Sequence, residues 1–229
     1  MIYLLGDVHE RFNHILPALL PRQQADGEQA VIFLGDMECK DPFEELIAPL
    51  LEADIECWFI HGNHDTDRQR DWLNLSESMH RNLDGRVLKI QGLRVAGLGG
   101  VFRGAVWRPP KPQNHQTMEA FKQSRFFKAT TYPEGQLLKH CSSIWPATYD
   151  ALASLDADIL VSHEAPSCHH HGFEELDLLA QSLGVNRLFH GHHHLKMDYS
   201  NHTERMGFAA FSVPFQGIMT INGELVWAP

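Results

Sequence analysis

The sequence predicts an α/β sheet fold, and three observations predict it. Short apolar runs rich in β-branched residues recur along the chain, helix-like stretches separate them, and most runs end directly in a polar tip beside a glycine. Short apolar runs bounded by turn residues read as buried strands, and their alternation with helices is the pattern of a packed α/β sheet.

The elements follow in order. Residues 2–5, 31–34, 57–60, 94–98, 159–162 and 187–190 have the length and composition of buried strands. Residues 41–52, 146–155 and 173–183 are helix-like. The second opens with Pro146, tolerated where a first-turn N–H has no partner, and the third runs between Gly172 and Gly184. Strand-like runs at 208–213, 216–220 and 224–227 close the chain, with Asn222-Gly223 as a hairpin signal, so antiparallel strands are expected to finish the domain. The final "LVWAP" is expected to pack on the domain or on a partner chain. No repeat or low-complexity linker divides residues 1–229, so a single domain is expected. Residues 102–146 break the pattern, with little strand signal, prolines at 109, 110 and 112, and one candidate helix near 115–128. An irregular segment of that length inside a compact domain is uncommon and is often functional, and an inserted cap or substrate segment is expected here.

Composition narrows the class. Of 229 residues, 43% are hydrophobic and 21% charged, ordinary values for a globular chain able to bury a large core. No apolar run approaches the roughly 18–20 residues that span a bilayer. The start "MIYLLGDVHE" lacks the basic region and long apolar run of a secretory signal. The expectation is a cytoplasmic protein with no membrane association. Cys39, Cys57, Cys141 and Cys168 show no C-x-x-C spacing and are expected to be free thiols. A net charge of −10 weighs against nucleic acid as the partner.

The polar tips carry the chemistry. The run at 2–5 is followed by "GDVHE" with Asp7 and His9, and the run at 31–34 by "GD" with Asp36. The run at 57–60 is followed by "HGNHD" with Asn63, His64 and Asp65. The run at 159–162 is followed by "HEAP" with His163, and the run at 187–190 ends in the stretch "LFHGHHHL", half of it histidine. In open α/β sheets ligands bind beyond the carboxyl ends of the strands, so five strands would bring carboxylate, amide and imidazole groups to one place. Any one of these residues alone reads as a turn or cap residue, and a lone His163 as a core histidine. Their conjunction, all O and N donors with no thiolate, points to metal binding.

Read in order, "GDVH" at 6–9, "GD" at 35–36, "GNHD" at 62–65, "SHEAP" at 162–166 and "GHHH" at 191–194 resemble the motifs of the calcineurin-like metallophosphoesterases, over most of the chain. The resemblance implies a four-layer αββα sandwich around a two-metal site. Carried over by position, it implies that Asp7, His9 and His192 hold a first metal, that Asn63, His163 and His190 hold a second, and that Asp36 bridges them. His190 and His192 are two apart and would point the same way along an extended strand end. His193 would then face away as a structural or exposed residue, and His194 shares the parity of the ligands, which suits the rim, but neither resemblance nor spacing assigns it a role. His169, His170 and His171 are expected in a solvated loop, with substrate or rim contacts as the other reading.

Two divalent ions clamp both sides of a phosphoryl displacement and lower the pKa of a bridging water, so hydroxide attack on phosphorus is the implied reaction. The donor set suits Mn, Fe, Zn, Co or Ni, and the resemblance puts Mn or Fe first. His64, without a ligand role, resembles the histidine that stabilises the transition state or protonates the leaving oxygen, and Asp65 is placed either to orient it or to cap its loop. The second motif departs from the protein phosphatases: "GDMECKD" puts Cys39 and Lys40 where those enzymes carry Asp and Arg, and Lys does not replace a bidentate Arg. Asp65 stands where they carry Glu, and Glu10 follows His9 where Gly is usual. A phosphodiester or a small phosphorylated metabolite, a nucleotide among them, is therefore the expected substrate. Residues 102–146 carry seven Lys or Arg against Glu119 and Glu134, a net +5, with seven aromatics. Cations beside rings suit a phosphate joined to a stacking base, and Arg103 and Arg108 are the candidate substrate contacts. The other reading of the segment is a cap with its own small core. The competing functions are a nuclease, tested by salt-sensitive binding of single-stranded nucleic acid, and a non-catalytic metal-binding scaffold, which would be expected to have lost ligands.

Overall fold

The computed structural model describes residues 1–124 and 134–229. The strands are β1 (Ile2–Leu5), β2 (Gln29–Phe33), β3 (Ile55–Phe59), β4 (Arg86–Ile90), β5 (Leu93–Leu98), β6 (Ile159–Ser162), β7 (Arg187–His190), β8 (Ala209–Ser212), β9 (Ile218–Thr220) and β10 (Leu225–Trp227). The helices are α1 (Ile15–Leu19), α2 (Gln23–Asp26), α3 (Phe43–Glu52), α4 (Gln69–Ser76), α5 (Met118–Gln123), α6 (Glu134–Lys139), α7 (Pro146–Ala153), α8 (Glu174–Leu183) and α9 (Thr203–Met206).

Two five-stranded sheets form, in the orders β10-β9-β1-β2-β3 and β4-β5-β6-β7-β8. The central strands are parallel, with β4 antiparallel at one edge and β9 and β10 antiparallel at the other sheet's edge. Parallel strands covered on both faces read as continuous apolar runs, which is why they are legible in the sequence. Side-chain alternation sorts each strand between two layers. Ile2 and Leu4, Ala30 and Ile32, Ile159 and Val161, and Phe189 meet between the sheets. Tyr3, Leu5, Val31 and Phe33 point to the other side, against Ile15 of α1 and Phe43 and Ile47 of α3. Leu160 and Leu188 face Leu152 of α7 and Leu176 and Leu179 of α8. The result is a four-layer αββα sandwich.

Two expectations change. The terminal runs do not finish the domain together: β8 lies parallel to β7 in the second sheet, while β9 and β10 join the first. The chain crosses between sheets at Val213–Gly217, tied to each by Val213 N–H to His190 O and Gln216 N–H to Asp7 O. The Asn222-Gly223 turn does join β9 to β10. In addition, β4 is a strand that the apolar runs do not mark. Its exposed alternating face lacks a continuous apolar run, but the Gln91-Gly92 turn into β5, both residues at positive φ, is a hairpin signal. Val226 and Trp227 pack on the outer core of the first sheet, with Trp227 stacked on His14 at 4.3 Å. All four cysteines are free. Among the described residues no helix is long and apolar enough to cross a membrane.

Within 102–146, the helix near 115–128 is α5, capped by Thr117 Oγ1 accepting from Ala120 N–H. Phe102, Val106, Trp107 and Ile144 are buried in the core beneath α7 and α8. Trp107 meets Phe102 and Tyr149 edge-on and is 6% exposed, so it is a core residue and not a free stacking platform. Arg125, Phe126, Phe127 and Lys128 lie outside the described residues.

Candidate metal centre

The carboxyl ends of β1, β2, β3, β6 and β7 meet where the two sheets face each other. His163 at the end of β6 reaches the other sheet, its Nδ1 2.7 Å from Leu34 O at the end of β2. The Leu34 carbonyl accepts from Nδ1–H, so Nε2 is the nitrogen turned into the site. Nε2 lies 3.1 Å from Asn63 Oδ1 and 3.4 Å from Asp36 Oδ2. Potential ligand atoms of Asp36, His163 and His192 all fall within 4.8 Å of one another.

A second group, Asp7, His9 and His194, meets the same criterion. His194 Nε2 is 3.3 Å from Asp7 Oδ2 and 3.2 Å from His9 Nε2. The His9 ring is held through Nδ1 by the Glu38 carboxylate. Glu38 therefore does for His9 what Leu34 O does for His163, and sequence reasoning misses it because no spacing rule links it to His9.

The stretch "HGHHH" is corrected by two residues. His192 sits with Asp36 and His163 rather than with Asp7 and His9, and His194 takes the place expected of His192. His190 does not join the cluster: it is fully buried, with Nε2 3.2 Å from Tyr199 Oη and Nδ1 2.9 Å from Gly191 O. The parity rule holds only while the chain stays extended. Here β7 ends at His190, and His192 and His194 adopt left-handed φ values of 70° and 62°. His193 packs face to face on His169 at 3.9 Å, and its Nε2 is buried without a partner. His169 is buried, contrary to the solvated loop expected, while His170 and His171 are exposed. Glu164, His192 and His193 form a third group within 4.8 Å, which shares His192 with the group of Asp36 and His163.

The donors fit divalent cations. Asp7 is wholly buried, yet neither of its carboxylate oxygens, nor Asp36 Oδ2, has a hydrogen-bond partner. A buried carboxylate is costly unless paired or bound to a metal. Burial raises Asp7 above the ordinary carboxylate range, with Asp36 adding to the rise. Burial resists a charge on His163, but Asp36 and Asp7 outweigh it and raise its pKa. Burial also opposes the Asp36 carboxylate, but His163 and the His64 N–H hold its pKa below the ordinary range. Burial lowers His192 to about 3, leaving it neutral and able to offer a lone pair. Buried carboxylates with free oxygens, beside the uncharged imidazoles of His192 and His194, make a cation site.

His64 lies beside this cluster, its ring 5.6 Å from that of His9. Its backbone N–H donates to Asp36 Oδ1 at 2.8 Å, and its Nδ1 is 2.6 Å from Asp67 Oδ2. Asp67, not Asp65, is thus the carboxylate that orients His64. Burial pulls the His64 pKa down, but Asp67 and Asp36 raise it on balance. Asp65, fully buried, instead accepts from the backbone N–H groups of Asp36, Glu38 and Gly62 at 3.1, 2.8 and 2.8 Å. It clasps the loop after β2 to the loop after β3.

Backbone geometry here is unusual. His9, Glu10, Asp36, Glu38, His192 and His194 all have positive φ. Each costs of order 1–3 kcal/mol, and such residues cluster at functional sites. At Gly62 a Cβ would run into Asp36, and at Gly191 it would stand 2.6 Å from Asp7 Oδ1. Glycine is required at both because carboxylates crowd the backbone. A departure in the second motif pairs with one beside the first. Lys40 pairs with Glu10, which Arg68 also approaches at 3.7 Å, and Cys39 is buried.

On the far side, Arg103 Nη2 donates to Ser142 Oγ at 3.0 Å, and Ser142 Oγ lies 2.6 Å from Thr66 Oγ1, two residues beyond His64. Burial lowers the Arg103 pKa, and Asp67, Glu164 and Asp36 oppose the fall. Arg108 is exposed, its guanidinium 5.9 Å from the Phe173 ring centroid.

Comparison with known proteins agrees with this geometry. A sequence profile described as calcineurin-like phosphoesterase matches residues 1–196. The chain is similar to an uncharacterized protein of Haemophilus influenzae, 40% identical over 202 residues, covering 87% of this chain and 85% of the relative. It resembles in fold the crystal structure of TT1561 of Thermus thermophilus, with a TM-score of 0.57 at 14% identity, covering 97% of this chain and 96% of that one. The chain belongs to the calcineurin-like phosphoesterase family, metal-dependent hydrolases of phosphoric esters.

Proposed function

We propose that this chain is a dinuclear metal-dependent phosphoesterase acting on a phosphodiester or a small phosphorylated metabolite, nucleotides included. The observation that carries this reading is the convergence of two donor groups, Asp7, His9 and His194 beside Asp36, His163 and His192, with buried carboxylate oxygens that have no hydrogen-bond partner. The first group would hold one ion; the second, with Asn63, would hold the other, and Asp36 would lie between them. The N/O donor set suits Mn, Fe, Zn, Co or Ni, and the family's habit puts Mn or Fe first. When bound, the two ions supply Lewis acidity at the phosphoryl group and an activated water near neutral pH.

The chain's own residues do the rest. His64 donates a proton from Nε2 to the leaving oxygen, because Asp67 occupies its Nδ1 and its side chain is 45% exposed. Glu38 and the Leu34 carbonyl hold His9 and His163 in the tautomer that presents Nε2. Asp65 fixes the two loops that carry Asp36 and His64. Residues 102–146 supply the substrate side, with Arg103 and Arg108 as phosphate contacts.

The test is hydrolysis of bis-p-nitrophenyl phosphate beside p-nitrophenyl phosphate, with EDTA-stripped protein reloaded with Mn²⁺. Turnover that requires the metal is expected, and the ratio of rates separates diesterase from monoesterase. Protein that binds no metal under these conditions would overturn the reading.

A further inference from the structure

Arg103, Arg108 and Lys139 line a cavity of about 460 Å³, together with Phe102 and His140. That volume lies within the range of small-molecule sites, about 300–1,000 Å³. Among the described residues no carboxylate lines it, and none of the three cations forms an ion pair with a described residue. This is unusual in a chain of net charge −10. Arg103 is preset: Nη2 is held by Ser142 Oγ while Nε is buried with no partner. An unpaired donor on a buried cation is costly unless a ligand satisfies it. A guanidinium fork matches phosphate geometry, and Lys139 adds an exposed point charge. Burial, then Arg103 and Lys139, lower His140 to about 4, so near neutral pH it is uncharged. A smaller adjoining cavity of about 200 Å³ brings Lys111 beside Arg108.

The cavity is joined to the metal centre along two walls. Arg103 connects through Ser142 to Thr66, in the same turn as His64. Phe102 N–H donates to Glu164 Oε1 at 3.0 Å, and Glu164 follows His163. A molecule with its scissile phosphorus at the metals would extend past Arg103 into this cavity.

We propose that the cavity binds a second anionic group, a phosphoryl distal to the one hydrolysed, so that preferred substrates carry at least two phosphates. The proposal rests on the phosphoesterase reading above. Arg103, which lines the cavity and is tied through Ser142 to the turn of His64, links the two positions, and Arg108 and Lys139 hold the distal group.

The experiment compares kcat/KM for AMP, ADP and p-nitrophenyl phosphate with the Mn²⁺-loaded protein, and measures binding of AMP and ADP by calorimetry at excess free Mn²⁺. ADP is expected to exceed AMP by about tenfold in kcat/KM and in affinity, and Lys139→Ala or Arg108→Ala is expected to abolish most of that preference. Lys139 is exposed, so its replacement leaves folding intact, which a melting curve checks. Equal affinity for AMP and ADP, or a preference unchanged in both variants, overturns the distal site even if p-nitrophenyl phosphate is hydrolysed. Absence of metal-dependent turnover of any ester overturns the phosphoesterase reading instead, and the calorimetric ratio then decides the cavity alone.

Discussion

His194 Nε2 stands 3.3 Å from Asp7 Oδ2 and 3.2 Å from His9 Nε2, across a sequence separation of 185 residues from His9. His190, four residues earlier, bonds to Tyr199 and stays out of the cluster. The two histidines should therefore respond in opposite ways. His194→Ala is expected to weaken binding of one ion by about 100-fold or more, beyond the usual cost of losing an outer-shell partner. His190→Asn is expected to retain the metal content of the parent. Metal analysis after gel filtration reads both, and metal loss in His190→Asn alone would reverse the assignment.

Glu38 orients His9 through Nδ1. Glu38→Gln keeps the size but removes the charge, and an approximately 10–100-fold loss of metal affinity is expected. Titration against a competing chelator measures it. Unchanged affinity would reduce Glu38 to a loop contact.

His64 and Asp67 act as a pair at 2.6 Å. His64→Ala is expected to lower turnover by about 10²–10⁴-fold while metal content holds, the usual range for a general acid. Asp67→Asn should produce a smaller loss, because the ring keeps a hydrogen-bond partner. Asp65→Asn should not mimic Asp67→Asn in its turnover profile, since Asp65 does not touch the His64 side chain.

Asp65 serves stability. Asp65→Ala strands three backbone donors, those of Asp36, Glu38 and Gly62. At about 1–3 kcal/mol for each unsatisfied buried group, a loss of about 3 kcal/mol or more is expected from urea unfolding of the metal-free protein. A loss below about 1 kcal/mol would mean that water replaces the carboxylate.

The layer between the sheets offers a separate check on the fold. Phe189 is fully buried there and stacks on Phe211 at 4.7 Å. Phe189→Ala is expected to cost about 3–5 kcal/mol in unfolding free energy. A surface-like effect would contradict the sandwich.

Legibility followed the physics of each element. Strands β1, β2, β6 and β7 are visible in the sequence because burial on both faces demands continuous apolar runs. Strand β4 is not, since one of its faces meets water and only the Gln91-Gly92 turn marks it. Asp7, His9, Asp36, Asn63 and His163 can be placed because each motif offers a single residue of the required type at its position. His192 and His194 cannot be told apart from His190 in this way. Left-handed residues at 192 and 194 turn the chain out of the extended repeat on which a parity argument depends.

The sequence by itself determined the α/β class, most of the sheet strands and the set of donor-bearing loops, because hydrophobic periodicity and glycine-flanked polar tips are local properties of the chain. Tertiary structure decided which donors meet. It chose His194 over His190, gave His64 to Asp67 rather than Asp65, set Glu38 on His9, and buried Trp107 while leaving three cations around one cavity. Those outcomes depend on where two separate sheets place their loops across a shared face, and side-chain contact across that face is fixed by packing rather than by spacing along the chain.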